Sequence, residues 1–379
     1  MALSEERDES SPAVEQGIDS RVDPVTDHGG ALDRAISRYG GAYHSWLDLS
    51  TGINPHAYRL PPIKLAAWHR LPDSAALARL EAAARRAYGA VPDAPIAAAP
   101  GSQALIQMLP RLLPPADVAV LAPCYAEHAH CWLLGGHRVR EISTLEEAAA
   151  HEILIVVNPN NPDGRRIAPG HLLDRVSQGG GLTLVDEAFA DTDTDTDTSV
   201  GAGVDVDSGL SLAGISLPGL LVLRSFGKFY GLAGLRLGFA LGDPAWVARI
   251  RAAFGPWAIS GPALTVAAAA LQDLQWAKAM RRRLADEARA LDALLTEAGL
   301  DVIGGTSLFR LVRVARLRDP VGGGAAGGGP AEGGWVLAEA LARRHILVRS
   351  FAKAPDRLRF GLPPDDPACR RLAAALAGR

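Results

Sequence analysis

Cysteine is scarce in this chain of 379 residues, with only Cys124, Cys131 and Cys369. An odd trio cannot form a paired disulfide framework, so a reducing cytoplasm is the expected setting. Excess charge is also missing: 39 Lys and Arg against 42 Asp and Glu give a formal net charge of -3. There is no basic block, which argues against nucleic acid or an anionic membrane as partner. No apolar run approaches the ~18 residues that a membrane helix needs. The first residues, "MALSEERDESSPAVEQGIDSRVDP", are polar and acidic without a hydrophobic region. They read as a disordered tail over residues 1–27, not a secretory signal.

What is present is a large hydrophobic content, 48%, with 21% charged residues, ordinary for a globular enzyme. Apolar runs of strand length recur at Val118–Pro123, Ile153–Pro159, Leu182–Phe189, Leu220–Ser225 and Leu237–Leu241. They are apolar throughout instead of alternating, which suits strands covered on both faces. Helical candidates such as Ala75–Tyr88 and Gln103–Leu112 lie between them. The pattern is α/β with a mostly parallel sheet. After Gly261 the texture changes to a long helical stretch, Leu264–Leu300, then strand candidates at Ser307–Val314, His345–Phe351 and Arg357–Pro363. A large domain over residues 28–260 and a smaller α+β domain over 261–379 are expected. "DTDTDTDT" (Asp191–Thr198) lacks the spaced Gly and terminal Glu of a calcium loop and reads as a solvated insertion. "VGGGAAGGGPAEGG" (Val321–Gly334) reads as a flexible linker.

Polar residues gather where the parallel strands end, the edge at which α/β folds build sites. Asn158 follows Ile153–Val157, Asp186 ends Leu182–Val185, Ser225 ends Leu220–Arg224, and Lys228 comes three residues later. A lysine in apolar, electropositive surroundings has a lowered pKa and can hold a carbonyl as a Schiff base. Pyridoxal phosphate requires such a lysine, a carboxylate against its ring nitrogen, a donor to its phenolate oxygen and N–H groups for its phosphate. "APGSQALIQML" (Ala99–Leu109) opens a helix, so Gly101, Ser102 and Gln103 are candidates for the last role. In "CYAEHAHCW", Cys124, His128 and Cys131 share one face if helical, but a buried thiol pair beside a histidine explains them better than zinc.

The motifs "NPNNPDG", "VDEAF", "SFGKFYGLAGLRLG" and the late "LVRS…LRFGLP" resemble those of fold-type I pyridoxal-phosphate enzymes of the aminotransferase class I/II group, from about His28 to the C-terminus. Within that group, "HGG" (His28–Gly30) and "LDLSTGINP" (Leu47–Pro55) resemble the L-threonine-O-3-phosphate decarboxylases of cobalamin biosynthesis, close relatives of histidinol-phosphate aminotransferases. The resemblance implies that Lys228 binds the cofactor aldehyde, Asp186 pairs with the ring nitrogen and Asn158 donates to the phenolate oxygen. Tyr125 would stack on the ring. Ser225, Arg236 and the amides of Gly101, Ser102 and Gln103 would hold the cofactor phosphate. Arg359 would grip the substrate carboxylate, with Arg349, Asn54 and His28 for the rest of a phosphorylated amino-acid substrate. Histidinol-phosphate transamination is the alternative activity. Two departures stand out. Phe189 replaces a common tyrosine in "DEAF", and Leu71 in "RLPD" replaces a tyrosine that reaches a neighbouring subunit, though a homodimer is still implied. A ligand-sensing domain of a regulator is disfavoured, because the ~27 residues before His28 are too few for a DNA-binding domain.

Overall fold

The structure, a computed structural model, describes residues 29–179, 181–192, 211–314 and 333–378. The tail over residues 1–27, His28, most of the Asp-Thr tract and most of the glycine-rich linker lie outside the described residues. In chain order come α1 (Leu32–Tyr39), β1 (Leu47–Asp48), α2 (Ala66–His69), α3 (Ser74–Ala87), β2 (Ile96–Ala99), α4 (Ser102–Met108), β3 (Asp117–Leu121), α5 (Glu127–Leu134) and β4 (Arg138–Ile142). Then follow β5 (Ile153–Val157), α6 (Pro169–Ser177), β6 (Leu182–Asp186), β7 (Leu220–Ser225), α7 (Phe226–Phe229), β8 (Gly238–Gly242) and α8 (Pro244–Phe254). The remainder is α9 (Gly261–Gln272), α10 (Leu274–Glu297), β9 (Asp301–Thr306), β10 (Phe309–Arg313), α11 (Gly333–Ala342), β11 (Ile346–Leu347), β12 (Arg349–Ser350), β13 (Arg357–Gly361) and α12 (Asp366–Ala377).

The seven-stranded sheet has the order β2-β8-β7-β6-β5-β3-β4, and β8 alone runs antiparallel to its neighbours. Strands β5 to β7 are buried residue by residue, as their unbroken apolar runs require. Two strands were not legible as apolar runs. β4 is "RVREI", an edge strand whose charges point to solvent, a usual way to blunt an edge. β2 is "IAAA", too rich in small residues to stand out from a helix.

The second sheet, β12-β13-β10-β9, has antiparallel pairings throughout. The long helical stretch is divided at Asp273, whose side chain accepts from Trp276 N and starts α10. Its first part, α9, packs along α3. The expected helix Gln103–Leu112 ends early as α4, and a 3-10 turn containing Pro110 follows, because proline brings no N–H to a helical ladder. One hydrophobic cluster runs from Val222 on the large sheet and Phe226 on α7 to Leu284 on α10 and Phe360 on β13. It fixes the two sheets around the carboxyl edge of β5, β6 and β7.

Candidate active site

At that edge lies a cleft of about 370 Å³. Gly101, Ser102, Gln103, Tyr125, Asp186, Ser225, Lys228 and Arg236 line it from the large sheet, and Arg349 and Arg359 from the small one. Sequence-distant residues meet because the β5–β6 register sets Val157 opposite Asp186 and the β6–β7 register sets Asp186 opposite Leu223.

Lys228 sits on the single turn α7, immediately after β7, with its Nζ 5.3 Å from the centre of the Phe189 ring. Its amine is lowered to about 8, first by burial and next by the Arg359 charge, with Arg349 and Arg236 adding to the effect and Asp186 opposing it. The amine is therefore partly neutral, and nucleophilic, near physiological pH. Asp186 is buried at the end of β6; its Oδ1 accepts from Ala188 N at 3.0 Å, and its Oδ2 lies 2.9 Å from His128 Nε2. His128 is fully buried and its Nδ1 has no partner among the described residues. A buried N–H with no acceptor is costly, so the ring carries its proton on Nε2 and donates it to Asp186.

Tyr125 donates its hydroxyl to Gln103 Oε1 at 3.0 Å, and burial, then the Glu127 charge, pushes that hydroxyl up to about 12. It stays protonated. Gln103 in turn donates to Glu127 Oε2 at 2.9 Å, so both ends of its amide are fixed. Gly101 has φ +94°, and a Cβ there would stand 2.8 Å from Arg236 Nη2. The guanidinium could swing aside, so it is the left-handed backbone that favours glycine here. The Gly101 amide already bonds Ala99 O at 2.7 Å, so the expected N–H donors reduce to Ser102 and Gln103 in the first turn of α4, where amides have no helical acceptor.

Arg359 is buried on β13, cross-strand from Arg349 on β12. Its Nη1 donates to Asn161 Oδ1 at 2.5 Å and its Nη2 to Ser50 O at 2.8 Å, while its Nε is buried with no partner among the described residues. Among the described residues no carboxylate pairs with it. Burial, then the Arg349 charge, lowers it to about 9. An enclosed cation with an unused donor is chemically suited to take an anion.

Two expectations need correction. Asn158 does not face the cleft: its Nδ2 donates to Ile167 O at 2.9 Å and its Oδ1 accepts from Ile167 N at 3.0 Å. Both ends of the amide serve the backbone. The asparagine that lines the cleft is Asn161, whose Oδ1 is taken by Arg359, so Nδ2 is its remaining donor. Asn54 is likewise turned away, bonding Phe229 O through Nδ2 and His56 N through Oδ1. His28 lies outside the described residues, but Gly29 and Gly30 line the cleft, with Gly30 N on Ser50 Oγ at 2.8 Å. Sequence reasoning missed Asn161 and His128. The first was hidden among three asparagines in "NPNNPDG". The second was weighed as a zinc ligand or as a packed helix histidine beside two thiols, not as a partner of Asp186.

The chain belongs to the aminotransferase class I and II family, whose description matches residues 47–376. It is 45% identical over 361 residues to the threonine-phosphate decarboxylase of Pseudomonas aeruginosa, covering 93% of this chain and 98% of the relative. It is 42% identical over 357 residues to a threonine-phosphate decarboxylase of a Sinorhizobium species, covering 92% and 97%. The fold is similar to that of histidinol-phosphate aminotransferase from Sinorhizobium meliloti, with a TM-score of 0.73 at 20% identity over 92% of this chain and 93% of that one.

Proposed function

We propose that this protein is a pyridoxal-phosphate-dependent decarboxylase that converts L-threonine O-3-phosphate to (R)-1-amino-2-propanol O-2-phosphate in cobalamin biosynthesis. The observation that carries this reading is the likeness, at 45% identity and nearly full length, to a threonine-phosphate decarboxylase.

The side chains of the cleft suit the cofactor. A partly neutral lysine, a buried carboxylate whose geometry is fixed by His128, and the open amides of Ser102 and Gln103 are the groups it needs. When bound, pyridoxal phosphate supplies an aldehyde for Lys228 and a protonated ring that accepts the electron pair released as the carboxylate departs. Asp186 holds the proton at the ring nitrogen. Asn161 Nδ2 is the amide donor toward the phenolate oxygen, and Ser225, Arg236 and the α4 amides hold the phosphate. Arg359 takes the substrate carboxylate and fixes its orientation, while Arg349, with His28, takes the phosphate. With its amine lowered to about 8, Lys228 releases and accepts a proton near neutrality, which suits it to return one to the substrate α-carbon.

Incubation of the loaded protein with threonine phosphate should release CO2 and one equivalent of the amino alcohol phosphate, without needing a 2-oxo acid. Glutamate consumed with imidazole-acetol phosphate, and no CO2 released, would instead support histidinol-phosphate transamination.

A homodimer is part of the proposal. Leu65, Trp68, Leu71 and Trp257 are large, apolar and exposed, and Pro72 and Trp257 line one shared groove. Such surface is normally covered by a partner, and sedimentation would read the mass. We also place the protein in the cytoplasm, where its three cysteines would stay as the free thiols they are here. Among the described residues no helix is long and apolar enough to cross a membrane.

A further inference from the structure

The turn that carries Lys228 is only four residues long. A helix that short leaves its last carbonyls without helical partners. A segment some 170 residues earlier in the chain reaches them: Asn54 N donates to Lys228 O at 3.0 Å, Asn54 Nδ2 to Phe229 O at 2.7 Å, and Tyr58 N to Tyr230 O at 2.9 Å. The Asn54 amide cannot be reversed, because its Oδ1 accepts from His56 N at 2.8 Å. Turning it over would set oxygen against Phe229 O and N–H against N–H. Gly231 closes the contact. It has φ +65°, and a Cβ there would stand 2.7 Å from both Ala57 Cα and Asn54 O.

The segment is itself fastened to α10. His56 Nε2 lies 2.8 Å from Glu287 Oε2, and the Tyr58 ring meets Trp276 edge-on at 5.1 Å. On the other side of the turn, Phe226 N is held by Leu237 O at 3.2 Å.

We propose that Asn54 is a positioning residue that fixes the backbone of the Lys228 turn from outside and does not itself meet substrate. A lysine stem is long and flexible, so the place of its Cα decides where Nζ acts. Misplacing a reacting group by about 1 Å can cost on the order of 100-fold in rate. The inference rests on Lys228 being the amine that takes the cofactor.

The test uses Asn54→Ala and, as a milder variant, His56→Ala, which removes the fastening at Glu287 and keeps Asn54. The visible absorbance of the cofactor-loaded protein is titrated without substrate from about pH 6 to about pH 10, and kcat and KM are then measured with threonine phosphate. Asn54→Ala should shift the titration midpoint and lower kcat about ten-fold, with KM changed less than about two-fold. His56→Ala should move the midpoint in the same direction by less. An unchanged titration with a raised KM would overturn the proposal in favour of substrate contact. An unchanged titration and kcat with a lower Tm would reduce Asn54 to a structural role. The titration needs no substrate, so it reads the clamp even if threonine phosphate proves to be the wrong substrate.

Discussion

Arg359 offers the sharpest test, because its two expected effects run in opposite directions. At neutral pH the folded protein keeps this guanidinium charged although burial lowers it to about 9. Holding it so costs on the order of 5 kcal/mol relative to a solvated arginine. Replacement by methionine, of similar length and apolar, removes that cost. It also leaves Asn161 Oδ1 and Ser50 O without their donors, a loss of about 1–3 kcal/mol for each acceptor that water does not reach. With both acceptors stranded the net expectation for Arg359→Met is about −1 to +3 kcal/mol, centred on a small gain, in the loaded, substrate-free protein. The folded state holds Arg359 below its unfolded value, so the penalty is complete at every pH below about 8. The gain should thus be flat from about pH 5 to pH 8. Substrate recognition should collapse, because a buried charge-assisted contact is worth about 2–5 kcal/mol. That is a fall of at least about thirty-fold in kcat/KM. Thermal scans with and without threonine phosphate read both effects, since a ligand that binds only the folded state raises Tm. A variant that melts several degrees lower, yet is still stabilised by substrate, would refute the reasoning.

Three further outcomes follow from the same electrostatics. Capture of pyridoxal phosphate by the cofactor-free protein should quicken about ten-fold between pH 7 and pH 9 and then level off, because only the neutral amine of Lys228 attacks and its value is about 8; stopped-flow absorbance that keeps climbing past pH 10 would contradict this, and Lys228→Ala should show no Schiff-base absorbance. His128→Ala removes the donor to Asp186 Oδ2 and should lower kcat about ten-fold with little change in KM, read by steady-state kinetics; a raised KM at full kcat would count against it. Arg224→Met should destabilise by about 3–5 kcal/mol in denaturant titrations, since it strands Glu187 and Asp191 without their buried cation. Burial already raises the Glu187 carboxyl, so the deficit should shrink as pH falls and the stranded Glu187 takes up a proton.

Much of the architecture was legible because burial on both faces forces strands β5, β6 and β7 to be continuously apolar, and polar residues at their ends then stand out. Asp186, Ser225 and Lys228 were found that way, and the cleft contains all three. What sequence could not settle is side-chain direction. Asn158 and Asn161 each precede a proline in one short turn, but only the second reaches the cleft, because Asn158 folds back on Ile167. Asn54 sits in a motif read for its resemblance, and its amide is used on Phe229 O instead.

The two buried arginines make the same point energetically. Arg224 in "LLVLRS" and Arg359 in "RLRFGLP" look alike as single cations in apolar strands. Their worth is decided by residues distant in sequence. Glu187 and Asp191 meet Arg224, so its charge is neutralised within the fold and removing it should harm stability. Arg359 is given a backbone carbonyl, an amide oxygen and an aromatic face, none of which carries a full negative charge. If a substrate carboxylate balances it, as proposed, the same kind of substitution should weaken the protein at Arg224 and leave it no weaker, or slightly stronger, at Arg359.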